Sequence, residues 1–321
     1  MSATKRIALF AVGLAAVFFA AVAIGSLVEP ADTESGGMEE TMNTHTAEVG
    51  HDKGASHGDG GSQHGEATHE PAGLSVSEGG YTLRMSPTQL GRGEARELRF
   101  TIDGADGQAV TDFDELHERR MHLIVVRRDG AEFRHLHPEM DEDGTWSIPI
   151  EFAEPGVYRA FADFSVGGEQ HTLAGDVFVS GGEFEARPFP ATEPVDSTDG
   201  YEVQLEAGEP RAGEPTSLTF TVSQDGHGVH ELSPYLGAKG HLVALREGDL
   251  AFLHVHPEEA EGGHGHGGDD GHGDSDNGHE GGANEIAFAA TFPTAGRYRL
   301  YLQFKHEGVV QTAQFTVEVP R

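Results

Sequence analysis

One stretch of the chain occurs twice without a gap. Met121-His122-Leu123 through His135-Leu136-His137-Pro138 matches Gly240-His241-Leu242 through His254-Val255-His256-Pro257, with histidine at the same three places in each copy. The flanking motifs repeat in the same order. Leu98-Arg99-Phe100 matches Leu218-Thr219-Phe220, Pro155-Gly156-Val157-Tyr158-Arg159 matches Ala295-Gly296-Arg297-Tyr298-Arg299, and Phe164 matches Phe304. A duplication of this kind binds both halves to one fold. The 321 residues accommodate two domains of about 100–150 residues each.

That fold is expected to be all-β. Short apolar runs (Tyr81 to Leu83, Leu98 to Ile102, Met121 to Val126, Tyr158 to Phe164, Asp176 to Val179) alternate with Gly, Pro and Asp turns, and their apolar spacing is two, not the three to four of an amphipathic helix. Two tandem immunoglobulin-like antiparallel sandwiches of about seven strands each follow from this pattern. Phe100, Ile124, Val126, Phe133, Phe161 and Val177 are the expected core of the first, and Phe220, Val243, Leu245, Phe252, Tyr301 and Phe315 that of the second.

Outside the repeats the composition changes. Lys5 and Arg6 precede an uncharged apolar run, residues 7–28, followed by Glu29, Asp32 and Glu34. As a helix this run is about 33 Å long, enough to cross a bilayer. Its length favours a retained anchor, and Ala21-Val22-Ala23 offers a signal-peptidase site; residues 1–30 are therefore a signal anchor or signal peptide. The charge asymmetry places everything after it outside the cytoplasm. Residues 31–72, rich in Gly, His and acids, bury too little to offset ordering entropy and read as a disordered tether. The domains then span 73–181 and 198–321, joined by a stiff Pro-rich linker at 182–197, and the second carries a disordered His/Gly/Asp insertion at 262–284.

Charge and cysteine usage narrow the function. A net charge of −33 repels phosphate backbones and makes nucleic acid an unsuitable partner, while it concentrates cations. With no cysteine, disulfides, thiolate sites and thiol catalysis are excluded, so a metal site here uses His, carboxylate or Met.

The repeated histidines supply such a site. With Asp129-Gly130 as a two-residue hairpin turn, His122 lies opposite His137, and His135 shares their face. With Gly248-Asp249 as the second turn, His241 lies opposite His256, and His254 shares that face. Each trio resembles the three-histidine zinc site of carbonic anhydrases, with one tetrahedral position left open. Candidate fourth ligands are His117, Asp163, His171 and Met121 in the first domain, and His230 or His306 in the second. His45, His51, His57, His64 and His69 in the tether, and His264, His266, His272 and His279 in the insertion, read as weak, unselective metal binders. The bland alternative is that the paired trios are packed histidines preserved by duplication.

The strings His122-Leu123-Ile124-Val125-Val126, His135-Leu136-His137-Pro138 and Tyr158-Arg159-Ala160-Phe161-Ala162-Asp163-Phe164, with their second-half counterparts, resemble exported actinobacterial-type two-domain proteins of unassigned function. More loosely, the domains look like the immunoglobulin-like modules of YtkA-type and copper-resistance periplasmic proteins. The resemblance covers about Leu74 to Val319 and implies a β-sandwich in a heavy-metal context.

The function expected is non-enzymatic: extracytoplasmic, membrane-tethered binding of copper, zinc or nickel, with Cu or Zn the favoured ion, for capture, buffering or delivery. Rival readings are a structural or adhesive module with incidental histidines and a zinc-dependent hydrolase. The expected partners are metal ions and, through residues 7–28, the lipid bilayer. The chain should fractionate with membranes, and protease added to wall-stripped cells should digest the folded domains; protected domains would reverse the orientation.

Overall fold

The computed structural model describes residues 71–229, 231–253, 255–257 and 282–321. The apolar segment 7–28, the tether up to residue 70, residues 258–281 with most of the insertion, His230 and His254 lie outside the described residues, as does the side chain of His256. Every regular element described is a strand. In the first half these are β1 (Ser77–Glu78), β2 (Tyr81–Ser86), β3 (Gln89–Gly91), β4 (Arg96–Asp103), β5 (His122–Arg127), β6 (Arg134–Leu136), β7 (Glu139–Met140), β8 (Trp146–Ile150), β9 (Gly156–Val166) and β10 (Glu169–Ser180). The second half comprises β11 (Val195–Thr198), β12 (Tyr201–Ala207), β13 (Pro215–Gln224), β14 (His227–Gly228), β15 (Gly240–Arg246), β16 (Phe252–Leu253), β17 (His256–Pro257), β18 (Glu285–Thr291), β19 (Gly296–His306) and β20 (Val309–Val319).

In the first half the strands form two sheets, ordered β1-β2-β4-β8-β7 and β3-β10-β9-β5-β6. The second half repeats the plan as β11-β12-β13-β18-β17, with β14 beside β13, facing β16-β15-β19-β20. This is more strands than the expected seven, because two- and three-residue edge pieces carry no readable periodicity. Not all pairs are antiparallel either: β3 runs parallel to β10. The topology is that of immunoglobulin-like sandwiches, and both halves carry their tyrosine corner. Tyr158 Oη donates to Glu154 O at 2.9 Å, and Tyr298 Oη donates to Thr294 O at 2.9 Å. The repeated glycine before each tyrosine has a backbone reason: Gly156 and Gly296 sit at φ +145° and +144°, a region closed to residues with a Cβ.

Period-two burial produces each sandwich core. On β4, Leu98, Phe100 and Ile102 point inward; on β13, Leu218, Phe220 and Val222 do the same. Strand β5 departs from the pattern, for all six of its residues are buried. Leu123 and Val125 enter the first sandwich, whereas Ile124 and Val126 pack with Phe161 and Ala174 against Val243, Leu245, Leu250, Phe252 and Tyr301 of the second half. A third core therefore joins the two domains. Ile124, Val126, Phe161, Val243, Leu245, Phe252 and Tyr301 belong to this seam and not to the sandwich interiors expected for them, and Phe133 is only half-buried beside it.

The seam brings equivalent positions of the repeat together: Ile124 with Val243, Val126 with Leu245, Phe161 with Tyr301, and Phe133 with Phe252 occupy corresponding places in the two copies. Phe133 stacks on Tyr301 at 4.0 Å, and Tyr301 Oη donates to Gly130 O at 2.6 Å. The linker is pinned as well. Arg187 N donates to Asp129 Oδ2 at 2.8 Å, Phe184 lies under Arg127, and Phe189 lies under Arg297. Two outer limits move inward. Ala72 O, assigned to the tether, accepts from Phe252 N at 2.9 Å, and Asn284 O, assigned to the insertion, accepts from Val222 N at 2.9 Å.

Tyr301→Phe removes a buried donor and strands Gly130 O, which should cost about 1–3 kcal/mol. Phe161→Ala should cost about 3–5 kcal/mol. Urea unfolding checks both, and wild-type midpoints in both variants would remove the seam from the stability of the fold.

Candidate metal centre

The β5–β6 hairpin reaches its register by an unexpected route. Arg127 N donates to Ala131 O across a three-residue loop, closed by Gly130 N to Arg127 O at 2.8 Å with Gly130 at φ +79°. This is not the two-residue Asp129-Gly130 turn. Glu132, at φ +56°, then inserts one residue into the returning strand as a bulge. The two departures cancel, and Leu123 faces Leu136 while Ile124 faces His135. His122 and His137 extend this register by one step, so three imidazoles gather on the seam face of β5 and β6.

One ligand nitrogen from each of His122, His135 and His137 lies within 4.8 Å of the other two. His122, 1% exposed, places Nδ1 2.9 Å from His135 Nε2. Its Nε2 lies 2.8 Å from Leu116 O, and His135 Nδ1 lies 2.6 Å from Gln303 Oε1. Carbonyl and carboxamide oxygens only accept, and a neutral imidazole has one N–H. With both rings neutral and each N–H on its oxygen, the two remaining nitrogens meet lone pair to lone pair at 2.9 Å; a proton on either ring turns the same contact into an N–H···N hydrogen bond. Two such nitrogens repel unless a cation sits between or beside them. His137 Nε2 is also buried and makes no hydrogen bond among the described residues.

In the second half the four-residue loop 247–250 closes with Arg246 N to Ala251 O at 3.0 Å, and Ala244 faces Leu253. There the ladder ends. His256 pairs with Ala289 on β18, in the opposite sheet, so the expected His241–His256 pair across one hairpin is not made. His241 instead faces Gln303, and its ring lies 4.7 Å from that of His135 and 5.7 Å from that of His122.

Of the other candidates, His117 lies near the cluster, 6.1 Å from His122 between centroids. Asp163 is the strand partner of His122 and accepts from Thr172 Oγ1 at 3.0 Å. Met121 packs into the sandwich core, the His171 ring lies tilted against Tyr81 at 4.7 Å, and His306 Nδ1 meets Tyr201 Oη at 2.7 Å. Sequence reasoning missed Gln303. Its signal was the match of Phe164 to Phe304, which puts Gln303 in the place of Asp163 as a polar residue in an apolar strand.

Residues 75–181 and 196–321 both match the family described as Domain of unknown function (DUF8832). The chain belongs to this family. It carries two DUF8832 domains, in keeping with a two-domain protein of unassigned function. No curated protein matches it. Among solved structures it is similar to the Escherichia coli adhesin FdeC, at 15% identity over 77% of this chain and 66% of that one, with a TM-score of 0.25. It is also similar to Salmonella alpha-2-macroglobulin (13% identity, 79% and 15% covered, TM-score 0.26) and to the Yersinia pseudotuberculosis adhesin InvE (11%, 76% and 60%, 0.22). The chain spans less than two thirds of each of these, and superpositions of this quality say nothing about activity.

Burial sets the electrostatics of the DUF8832 cluster. It holds the pKa of His135 well below the ordinary imidazole value, helped by the neighbouring His241, His122 and His137. His122 is lowered chiefly by burial, against the opposing pull of Leu116 O and Asp163. His137 is pushed down to about 4 by burial, then by His122 and Arg119. All three rings are thus neutral at pH 7, the form that binds metal. In the unfolded chain these imidazoles take up protons near pH 6.5. Between about 6.5 and about 4 the unfolded state holds more protons, so stability falls with pH across that window. In chelator-treated protein the urea midpoint should drop from pH 7.5 to 4.5, and His135→Gln/His137→Gln should drop less. Equal slopes would show that the cluster does not titrate in this way.

Proposed function

We propose that this protein binds one divalent transition-metal ion, copper or zinc in first place and nickel as a weaker competitor, through His122, His135 and His137. The facing lone pairs of His122 Nδ1 and His135 Nε2 at 2.9 Å carry the reading. The outward N–H of each ring bonds an oxygen, the arrangement by which metal-bound histidines are oriented. His137 Nε2 supplies a third nitrogen, and Asp163, buried across the strand pair from His122, balances charge. His254 and His256 are proposed as accessory ligands on the strength of the repeat alone. Nitrogen donors without thiolate suit Cu(II) and Zn(II).

The site binds and does not catalyse in this reading; the further rings beside the trio, His241 at 4.7 Å from His135 and His117 at 6.1 Å from His122, are again metal-ligand types. In this reading the DUF8832 domains lie outside the cytoplasm on a membrane tether, which the charge asymmetry of Lys5 and Arg6 before the apolar run 7–28 supports, and the tether and insertion histidines feed ions to the site. A second reading, a structural or adhesive sandwich pair, is favoured by one observation: the histidines lie in the domain seam, where His135 bonds Gln303 across it.

Co(II) titration of the full chain separates the two. Buried tetrahedral nitrogen coordination gives intense visible d–d bands, which flexible, water-rich histidine sites do not. His137→Ala should abolish these bands and weaken tight Zn(II) binding by at least about tenfold, with the weak sites left intact. Identical spectra and affinity in wild type and variant would favour the structural reading.

A further inference from the structure

Two second-domain residues reach the first-domain trio, and both come from one spot. His241 on β15 and Gln303 on β19 are strand partners. Gln303 Oε1 bonds His135 Nδ1 at 2.6 Å. The His241 ring lies 4.7 Å from His135 and 5.8 Å from His117, and lies nearly parallel to His122, with 13° between their planes at 5.7 Å. His122 and His241 occupy the same position of the repeat, so the cluster sits where the two copies meet face to face. The apolar seam begins two residues further along each strand, at Ile124 and Val243.

We infer that the metal ion is an interdomain staple: His241 enters its coordination shell alongside His122, His135 and His137, and Gln303 orients His135, so that metal binding and docking of the two domains are thermodynamically coupled. This rests on the metal reading above and adds a partner domain and a regulatory consequence to it. A ligand that binds the docked arrangement better than the undocked one stabilises docking by its differential affinity. Linkage is reciprocal: loosening the seam must weaken the metal, and adding metal must tighten the seam. Ion availability outside the membrane would thereby set whether the two sandwiches move as one body.

The test uses the full chain with Zn(II), affinity being read by chelator competition and seam opening by hydrogen exchange of the Phe252 amide, which donates to Ala72 O. Wild type is expected to bind, and Zn(II) to slow exchange at Phe252. His241→Ala and the better-spaced His241→Gln should each lose about tenfold or more in affinity, with far-UV circular dichroism unchanged and protection by Zn(II) lost. Leu250→Ala, which thins the apolar seam, should also weaken Zn(II). If wild type binds, His137→Ala abolishes binding, and yet both His241 variants and Leu250→Ala bind like wild type, the staple is wrong and the three-histidine site stands. If wild type binds nothing beyond the weak sites, both readings fall.

Discussion

Burial of β5 on both faces is the constraint from which the rest of this structure follows. A strand at the surface of a sandwich normally shows one face to water, yet Leu123 and Val125 enter the first core while Ile124 and Val126 enter the seam. The second copy does the same through Val243 and Leu245. Each fully buried aliphatic or aromatic side chain of this kind contributes about 1.5–3 kcal/mol, and an apolar contact of this size opposes independent domain motion. The two halves are therefore not beads on a string, and the linker is clamped by Asp129, Arg127 and Arg297 in the same sense.

The histidines inherit their chemistry from that constraint. On an exposed hairpin, three imidazoles would be hydrated, flexible and half-protonated near pH 6.5. Here the seam removes water, depresses their pKa values and supplies the Gln303 oxygen that holds one tautomer of His135. Lone pairs face each other there when both outward N–H groups are committed to Leu116 O and Gln303 Oε1. The same closure that makes the rings good ligands would make them costly without an ion, since buried unpaired nitrogens carry a desolvation penalty.

Much of the first trio was legible in the amino-acid string. His122, His135 and His137 come together because side chains two apart share a face and the hairpin register holds, even though the turn is one residue longer than expected and a bulge at Glu132 corrects for it. The second trio was not legible in the same way. The hydrophobic pattern continues through Val255 with no sign that pairing with β15 stops at Leu253 and that His256 joins β18. Period two tells which residues share a face, and it is silent on which sheet a short edge strand joins.

What the sequence by itself determined is therefore local and repetitive: strands where apolar residues alternate, two copies of one sandwich, glycine at the positive-φ positions before Tyr158 and Tyr298, and three imidazoles on one hairpin face. Only the tertiary structure decided that this face is buried and that His241 and Gln303 of the other copy lie against it. The physical reason is that alternation marks apolar residues as destined for burial without naming the surface that buries them. Ile124 reads identically whether it faces its own sandwich or another domain, and only docking of the two copies distinguishes the cases.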